Sequence, residues 1–502
     1  MSDLIGSNTV DDATALERLM KVQHIVVVMM ENRSFDSMLG YLKHDGMPEL
    51  NGLDGDESNP GPDGEPVPVF VWSEHDTAFH PPEDHTGKIL DPCHGKDCVQ
   101  EQLSDNNGGF VRNFVATRKK KGQPVKLPPD YNRLPMGYYT AEHLHTYDFL
   151  ARNYCVCDAW HSSVPGDTWP NRLFALAGRE GPRDLPSLIE RLESLGHRLS
   201  FLGEAPIYDV AAFTHQLAEE QWRWYSHDPA TLRAADAHYR RFDEPDRGNF
   251  AFFDRQSMSV LTKVLEAGIV GPDSFLDDCA NGKLRPVSWI DPNFIDLKVL
   301  DPNSNDDHPP SDIRAGQAFI LELYEALLSS ERWEDTLLVV VYDEHGGFFD
   351  HVPPPPLSTD DGSGYSTYGV RVPALIVGPR VANGICQDLF DHTSLIQTIL
   401  RRFAHAPDEA IGRMPPRVAH ARHLGYTLLD EPRRDIPAPD AALDATAEWR
   451  EQARAARRGR RGEGLSHSLD GAGHAFWLHD FQEEFLKFAL AVRHAGLESG
   501  RT

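Results

Sequence analysis

Positive charge is scarce in this 502-residue chain. Its 49 Lys and Arg stand against 77 Asp and Glu, a formal net charge of −28. Such a surface repels nucleic acid and anionic bilayers, so no nucleic-acid partner is expected. A phosphorylated ligand would need a locally positive place, and in so acidic a protein a bound cation can supply it. Cysteine is scarce too: Cys93, Cys98, Cys155, Cys157, Cys279 and Cys386 include no Cys-x-x-Cys pair. Cys93 and Cys98 flank His94 in DPCHGKDC, but no second ligand pair of suitable spacing follows. Reduced thiols or one disulfide are expected there rather than structural zinc. No apolar stretch reaches the roughly 18 residues that span a bilayer. The start, MSDLIGSNTVDDATALERLMK, lacks a basic segment followed by an apolar run. The expectation is a cytoplasmic protein with at most peripheral membrane contact, and a secreted or periplasmic one if a leader has been removed. No solenoid-type repeat is present. Apolar residues make up 40%, enough for a substantial core, which excludes global disorder.

Three segments share one design. His24–Met30 (HIVVVMM) is an unbroken apolar run ending in Glu31-Asn32. Thr336–Tyr342 (TLLVVVY) ends in Asp343-Glu344, with Gly346-Gly347 after it. Pro286–Ile290 (PVSWI) ends in Asp291-Pro292-Asn293. Short β-branched runs without alternation predict strands covered on both faces, hence a mostly parallel sheet with helices on either side. In such folds ligands bind beyond the carboxyl ends of the strands. Arg198–Leu202 and Val372–Val377 are further strand candidates. Trp169–Ala177, Ile313–Leu328 (capped by Ser311 or Asp312) and Thr393–Phe403 predict helices. Leu50–Pro68 and Pro353–Tyr365 are rich in turn residues and predict loops, the second a candidate lid. Near the end, Arg450–Arg461 is Arg-rich and reads as a solvated segment or an anionic-surface patch. Phe481, Phe485, Phe488, Ala489 and Val492 mark an amphipathic helix.

Glu31, Asn32, Asp343 and Glu344 offer only oxygen ligands, which suit Ca²⁺, Mg²⁺ or Mn²⁺; His345 and His351 nearby leave Zn²⁺ open. The alternative is that the acids cap helices or pair with Arg33 and Arg371. In HSSVPGDTWPNRLFALAG, Thr168 stands where a helix begins, among unpaired N–H groups that favour phosphate oxygens. It could attack phosphorus if a cation or base lowers its pKa; the alternative is an ordinary threonine N-cap. His308 in NDDHPPSD and His94 could bind phosphate oxygens or protonate a leaving group. Trp160, Trp169, Trp289 and Tyr342 flank these segments and could cage a quaternary ammonium, or simply pack the core.

Taken together, MMENRSFDSMLGYL, SVPGDTWPNRLF, RPVSWIDPN, DDHPPSDIRAGQ, TLLVVVYDEHGGFFDHVPPP and GVRVPALIVGP follow a fixed order between His24 and Phe403. In this the chain resembles the bacterial phospholipase C, plant non-specific phospholipase C and acid phosphatase A family of phosphoesterases. The resemblance implies an α/β, alkaline-phosphatase-like sandwich whose central, mostly parallel sheet is covered by helices on both faces. It implies a phosphoesterase catalytic domain over residues 1–425, followed by a C-terminal extension over 426–502. It implies a divalent metal ion at Glu31, Asn32, Asp343 and Glu344, touching the nucleophile at Thr168, with His308 and His94 lining the phosphate pocket. Members resembling acid phosphatase carry serine at the nucleophile and phospholipase C-like members carry threonine, as here. The implied activity is therefore metal-dependent phosphodiester hydrolysis of phospholipase C type, through a phosphothreonine, on a phospholipid or small phosphodiester. An acid phosphatase-like phosphomonoesterase and a non-catalytic metal-binding protein are the alternatives. His227 and His351 have no assigned role.

Overall fold

The computed structural model describes residues 3–73, 92–117, 129–182, 208–227, 230–240, 248–254, 273–294, 304–309, 311–357 and 364–437, with 119–120, 123–124, 439, 443–449 and 451. Nine strands form one sheet: β1 (Asp3–Ile5), β2 (His24–Met30), β3 (Cys155–Cys157), β4 (Trp222–Ser226), β5 (Phe250–Phe252), β6 (Val287–Ile290), β7 (Thr336–Tyr342), β8 (Ala374–Val377) and β9 (Gly384–Cys386). Their order across the sheet is β1-β9-β3-β8-β7-β2-β6-β4-β5. Every pairing is parallel except the two made by β8. All seven residues of β2 and of β7 are buried, so both faces of the sheet's centre are covered. That is why these two segments carry uninterrupted aliphatic sequence.

Register decides where the polar ends fall. Thr336 pairs with His24 and Tyr342 with Met30, so β2 and β7 end level. Glu31-Asn32 and Asp343-Glu344 leave the sheet side by side. On the other side of β2, Ile290 of β6 pairs with Val28, bringing Asp291 to the same edge.

Proline trims two expected strands. Val372–Val377 shortens to β8, with the Pro373 carbonyl accepting from Tyr342 N at 3.1 Å, and PVSWI loses Pro286, whose carbonyl accepts from Ile25 N at 2.8 Å. A proline has no N–H to continue a ladder. The loop expected over Leu50–Pro68 contains a small antiparallel pair, Ser58–Pro60 with Pro66–Pro68. Helices Thr168–Ala177, Ile313–Leu328 and Thr393–Phe403 form as expected, the second capped by Asp312, whose side chain accepts from Arg314 N.

The strand candidate Arg198–Leu202 lies outside the described residues, as do the Arg-rich segment apart from Glu451, the amphipathic helix after it and positions 358–363 of the candidate lid. Beyond residue 425 the chain still lies on the body. Asp430 pairs with Arg18 at 3.1 Å, Arg433 donates to the Asn153 carbonyl at 2.6 Å, and Trp449 lies 5.3 Å from the His145 ring. Among the described residues, no helix is long and apolar enough to cross a membrane.

Candidate active site

The turn after β2 starts with Asn32 at φ 53°, in the left-handed region that asparagine tolerates better than most side chains. This directs its N–H to Asp343 Oδ1 at 3.0 Å and ties the two strand ends together. Two glycines after β7 permit the approach. Gly346 has φ 63°, and a Cβ there would lie 2.1 Å from the Asn32 carbonyl oxygen. Gly347 has φ 73°, and its Cβ would lie 2.7 Å from Pro92 Cβ.

Thr168 is the first residue of its helix, and the N-cap is Asp167. The hydroxyl is therefore not spent as a threonine cap. It is 3% exposed and lies 3.2 Å from Glu31 Oε2 and 3.1 Å from Asn32 Oδ1. With one hydrogen, it donates to one of these at a time. One turn along the same helix face, Arg172 donates Nε to Glu31 Oε1 at 2.8 Å, gives Nη2 to the same oxygen, and reaches the Met29 carbonyl at 3.0 Å. Its Nε is 3.7 Å from Asp343 Oδ2.

The alternative pairing of the acids with Arg33 and Arg371 is not what the structure shows. Arg33 Nε donates to the Asp307 carbonyl at 2.8 Å, and Arg371 pairs with Asp36 and Asp350 at 3.0 and 2.9 Å. No sequence motif singles out Arg172; the legible cue is its i+4 spacing from Thr168, which puts both on one helix face.

His308 and His94 are held alike. His308 Nδ1 lies 2.7 Å from the Pro309 carbonyl and His94 Nδ1 lies 2.8 Å from the Pro92 carbonyl. A carbonyl only accepts, so both Nδ1 atoms carry hydrogen and both Nε2 atoms face the site. They reach Asn32 Nδ2 at 2.9 Å (His308) and 3.4 Å (His94). The expected residues Glu31, Asn32, Thr168, Asp343, His308 and His94 are thus joined by direct contacts. Glu344 joins through His94, whose Nε2 is 4.0 Å from its Oε1.

The remaining candidates separate from this group. His227 packs against Phe253 and Phe319, ring centroids 4.9 and 5.5 Å away. His351 belongs to a second cluster, bonding Asp36 through Nδ1 at 2.7 Å and Asn51 through Nε2 at 3.1 Å. Burial opposes its protonation, but the Asp36 hydrogen bond and charge outweigh that and raise its pKa. Trp160, Trp169, Trp289 and Tyr342 are all buried, and Trp289 stacks on Trp224 at 5.0 Å. They pack the core and do not form an open cage.

Burial dominates the site's electrostatics. It raises the Glu31 pKa well above the usual carboxylate range, against the pull of Arg172 and with a further push from Asp343 and Asp306. Glu344 is pushed up to about 8, first by burial, with the His94 ring opposing and Asp343 adding. Asp306, whose backbone carbonyl accepts from Glu31 N at 2.8 Å, is pushed by burial to about 8.

A cation fits this donor set. Among the described residues, Asp343 Oδ2 and Glu344 Oε1 are buried oxygens without a hydrogen-bond partner, which is costly unless another positive group serves them. Every expected donor is an oxygen, as a hard divalent ion requires. Three carboxyl groups stand near one guanidinium, so all three can ionise together only if further positive charge is supplied, in keeping with the raised pKa values of Glu31 and Glu344. Among the described residues, the one set of three His, Cys, Asp or Glu side chains with all ligand atoms within 4.8 Å is instead Asp36, Asp350 and His351. Arg371 pairs with both carboxylates and His351, its pKa raised by Asp36, can supply the second positive charge, so the cluster is an ion-pair network. As for the thiols, Cys93 and Cys98 form a disulfide, and Cys155, Cys157, Cys279 and Cys386 are free and buried.

The chain belongs to the phosphoesterase family, whose model matches residues 22–405. It is similar to non-specific phospholipase C6 of Arabidopsis thaliana, 29% identical over 401 residues, covering 76% of this chain and 68% of that one. It is also similar to phospholipase C B of Mycobacterium tuberculosis, 28% identical over 421 residues, covering 77% and 74%. Among solved structures, a protein in the alkaline phosphatase superfamily from Vibrio parahaemolyticus aligns at 9% identity and TM-score 0.31, covering 80% of this chain and 76% of that one. At that score the description of the fold rests on the sheet's own topology.

Proposed function

We propose that this phosphoesterase is a metal-dependent phosphodiester hydrolase of phospholipase C type, with Thr168 as nucleophile. The observation that carries the reading is the buried Thr168 hydroxyl, set at a helix start against Glu31 Oε2 and Asn32 Oδ1. The names of the relatives, non-specific phospholipase C6 and phospholipase C B, support a phospholipid as substrate class.

Glu31, Asn32, Asp343, Glu344 and Thr168 would hold a divalent ion, which when bound supplies positive charge for the alkoxide and for the phosphoryl oxygens. Thr168 Oγ1, its proton released to solvent as the alkoxide forms, attacks phosphorus in line, so that the bond to phosphorus forms as the P–O bond to the alcohol breaks and a phosphothreonine results. Asn32 Nδ2 donates to phosphoryl oxygens, as does His94 when it is protonated on Nε2 as well as on Nδ1. His308, fixed by the Pro309 carbonyl and protonated on Nε2, gives its proton to the departing alcohol, diacylglycerol in the case of a phospholipid. Water then attacks the phosphothreonine while His308 takes the proton back, releasing the phosphomonoester. The net charge of −28 supports zwitterionic choline or ethanolamine phosphodiesters over phosphatidylserine or phosphatidylglycerol.

The test compares bis-p-nitrophenyl phosphate with p-nitrophenyl phosphate, then phosphatidylcholine with phosphatidylglycerol micelles, before and after EDTA and on restoring single divalent ions. The diester is expected to be preferred, EDTA to abolish turnover, Thr168→Ala to lose several orders of magnitude and Thr168→Ser to keep much of the rate. Near-normal turnover by Thr168→Ala would refute the nucleophile. A preference for the monoester would make the protein a phosphomonoesterase.

A further inference from the structure

We infer that His392 is a positioning residue for the paired acids Asp343 and Glu344: its ring holds the peptide between them, and divalent-ion affinity depends on that bond. The inference rests on the reading of these acids as ion ligands. His392 stands just ahead of the helix Thr393–Phe403 and is fully buried. Its Nε2 lies 2.6 Å from the Asp343 carbonyl oxygen, and its Nδ1 lies 3.4 Å from Trp160 Nε1. Both contacts have a forced sense. A carbonyl only accepts and an indole N–H only donates, so Nε2 carries the hydrogen and Nδ1 is the acceptor. The two contacts set the plane of the ring.

The carbonyl matters because its peptide joins Asp343 to Glu344, and the orientation of that peptide sets where both side chains start. The other ties of this strand end take different atoms. Asp343 N bonds the Met30 carbonyl at 3.1 Å, and Asn32 N and Glu344 N donate to Asp343 Oδ1 at 3.0 and 2.7 Å. Gly346 N donates to Glu344 Oε2 at 2.8 Å. These fix the end of β7 and the carboxylate tips. None of them reaches the Asp343 carbonyl, and His392 does.

The residue before His392 anchors the same turn to the other half of the site. Asp391 Oδ2 accepts from Ser163 Oγ and pairs with Arg417, each at 2.9 Å. Ser163 belongs to the loop that leads to Thr168. Asn171, on the Thr168 helix, stitches that loop by accepting from Val164 N at 3.0 Å and donating to the Gly166 carbonyl at 3.1 Å. Adjacent side chains at one helix start therefore tie down both the acid-bearing strand end and the loop of the nucleophile. Loss of an outer partner of an ion's ligands typically costs about 10–100-fold in affinity.

The experiment uses the full chain, stripped with EDTA and titrated calorimetrically with Ca²⁺, Mg²⁺ and Mn²⁺ singly, the tightest ion being carried into the variants. Glutamine at position 392 sets an amide N–H near the place of Nε2, whereas asparagine, one methylene shorter, does not reach the carbonyl. His392→Asn should raise the dissociation constant of the ion by about tenfold or more, and His392→Gln should stay within about threefold of the wild type. Urea unfolding in EDTA reads what each change costs the scaffold alone, and it should not separate the two variants in this way. Trp160→Phe is a milder change that frees the ring to turn, and it should weaken affinity by about threefold. An asparagine variant that binds as tightly as the wild type, or equal losses for asparagine and glutamine, overturns the positioning role and leaves the acids as ligands. If neither variant folds, Trp160→Phe decides, and unchanged affinity there overturns the role. A wild type that binds none of the three ions overturns the ligand reading of the acids, and the role of His392 with it.

Discussion

Arg172 and Glu31 allow the electrostatics of the site to be measured without any substrate. The Arg172 guanidinium is 2% exposed, Glu31 is fully buried, and two guanidinium nitrogens share one carboxylate oxygen. Removing one partner of a buried pair costs about 3–5 kcal/mol, because the other charge stays buried unmatched. The two single variants should differ within that range. In Arg172→Leu, Glu31 can take a proton, which its raised pKa already favours, so the cost should sit near the low end, about 3 kcal/mol. In Glu31→Gln, the guanidinium cannot shed its charge and keeps as counter-charge the more distant Asp343 Oδ2 at 3.7 Å, so the cost should sit toward the high end, at most about 5 kcal/mol. The double variant Arg172→Leu/Glu31→Gln carries neither charge, and its loss should fall short of the sum by about 2 kcal/mol or more. Urea unfolding in EDTA, on all four proteins, reads these terms without contribution from a bound ion. Single losses that add to within about 0.5 kcal/mol would refute a coupled pair.

Two further outcomes test the scaffold. Gly346→Ala combines left-handed strain with a Cβ 2.1 Å from a backbone oxygen, so stability should fall by more than about 3 kcal/mol and turnover with it. Gly64→Ala is the control: at φ 79° with nothing within 4 Å, it should cost only the conformational term, about 1–2 kcal/mol, and equal losses at both sites would sink the close-approach argument. His161, buried and bonded to the Gly369 carbonyl at 2.9 Å, has its pKa lowered by burial from 6.5 to about 4. Between those values the unfolded chain takes a proton that the folded chain refuses, so stability is lost as pH falls through the window, by about 3 kcal/mol in all. His161→Gln should flatten that part of the stability–pH curve, and an unchanged slope would show that another group carries it.

The central strands were legible because covering both faces of a sheet demands unbroken aliphatic sequence, and His24–Met30 and Thr336–Tyr342 form at the expected bounds. Five strands of the same sheet gave no such signal. Asp3–Ile5, Cys155–Cys157, Phe250–Phe252 and Gly384–Cys386 are three residues long, too short to show any period, and Trp222–Ser226 (WRWYS) mixes aromatics with an arginine. Tertiary pairing, not local preference, makes them strands.

By itself the sequence determined the chemistry available: two acid-bearing strand ends, a threonine at a helix start, and glycines after Glu344. A run of residues carries its own strand or helix and the groups at its ends. Only the tertiary structure decided what those ends meet. The level register of β2 and β7 brings Asn32 N to Asp343 Oδ1. The helix after Asp167 delivers Arg172 to Glu31, leaving Arg33 and Arg371 to other partners. Packing also sorted the histidines, setting His94 and His308 against Asn32, His227 among phenylalanines and His351 with Asp36. A lone side chain takes its role from neighbours that lie tens to hundreds of residues away along the chain, and no local pattern records which of them the fold will bring.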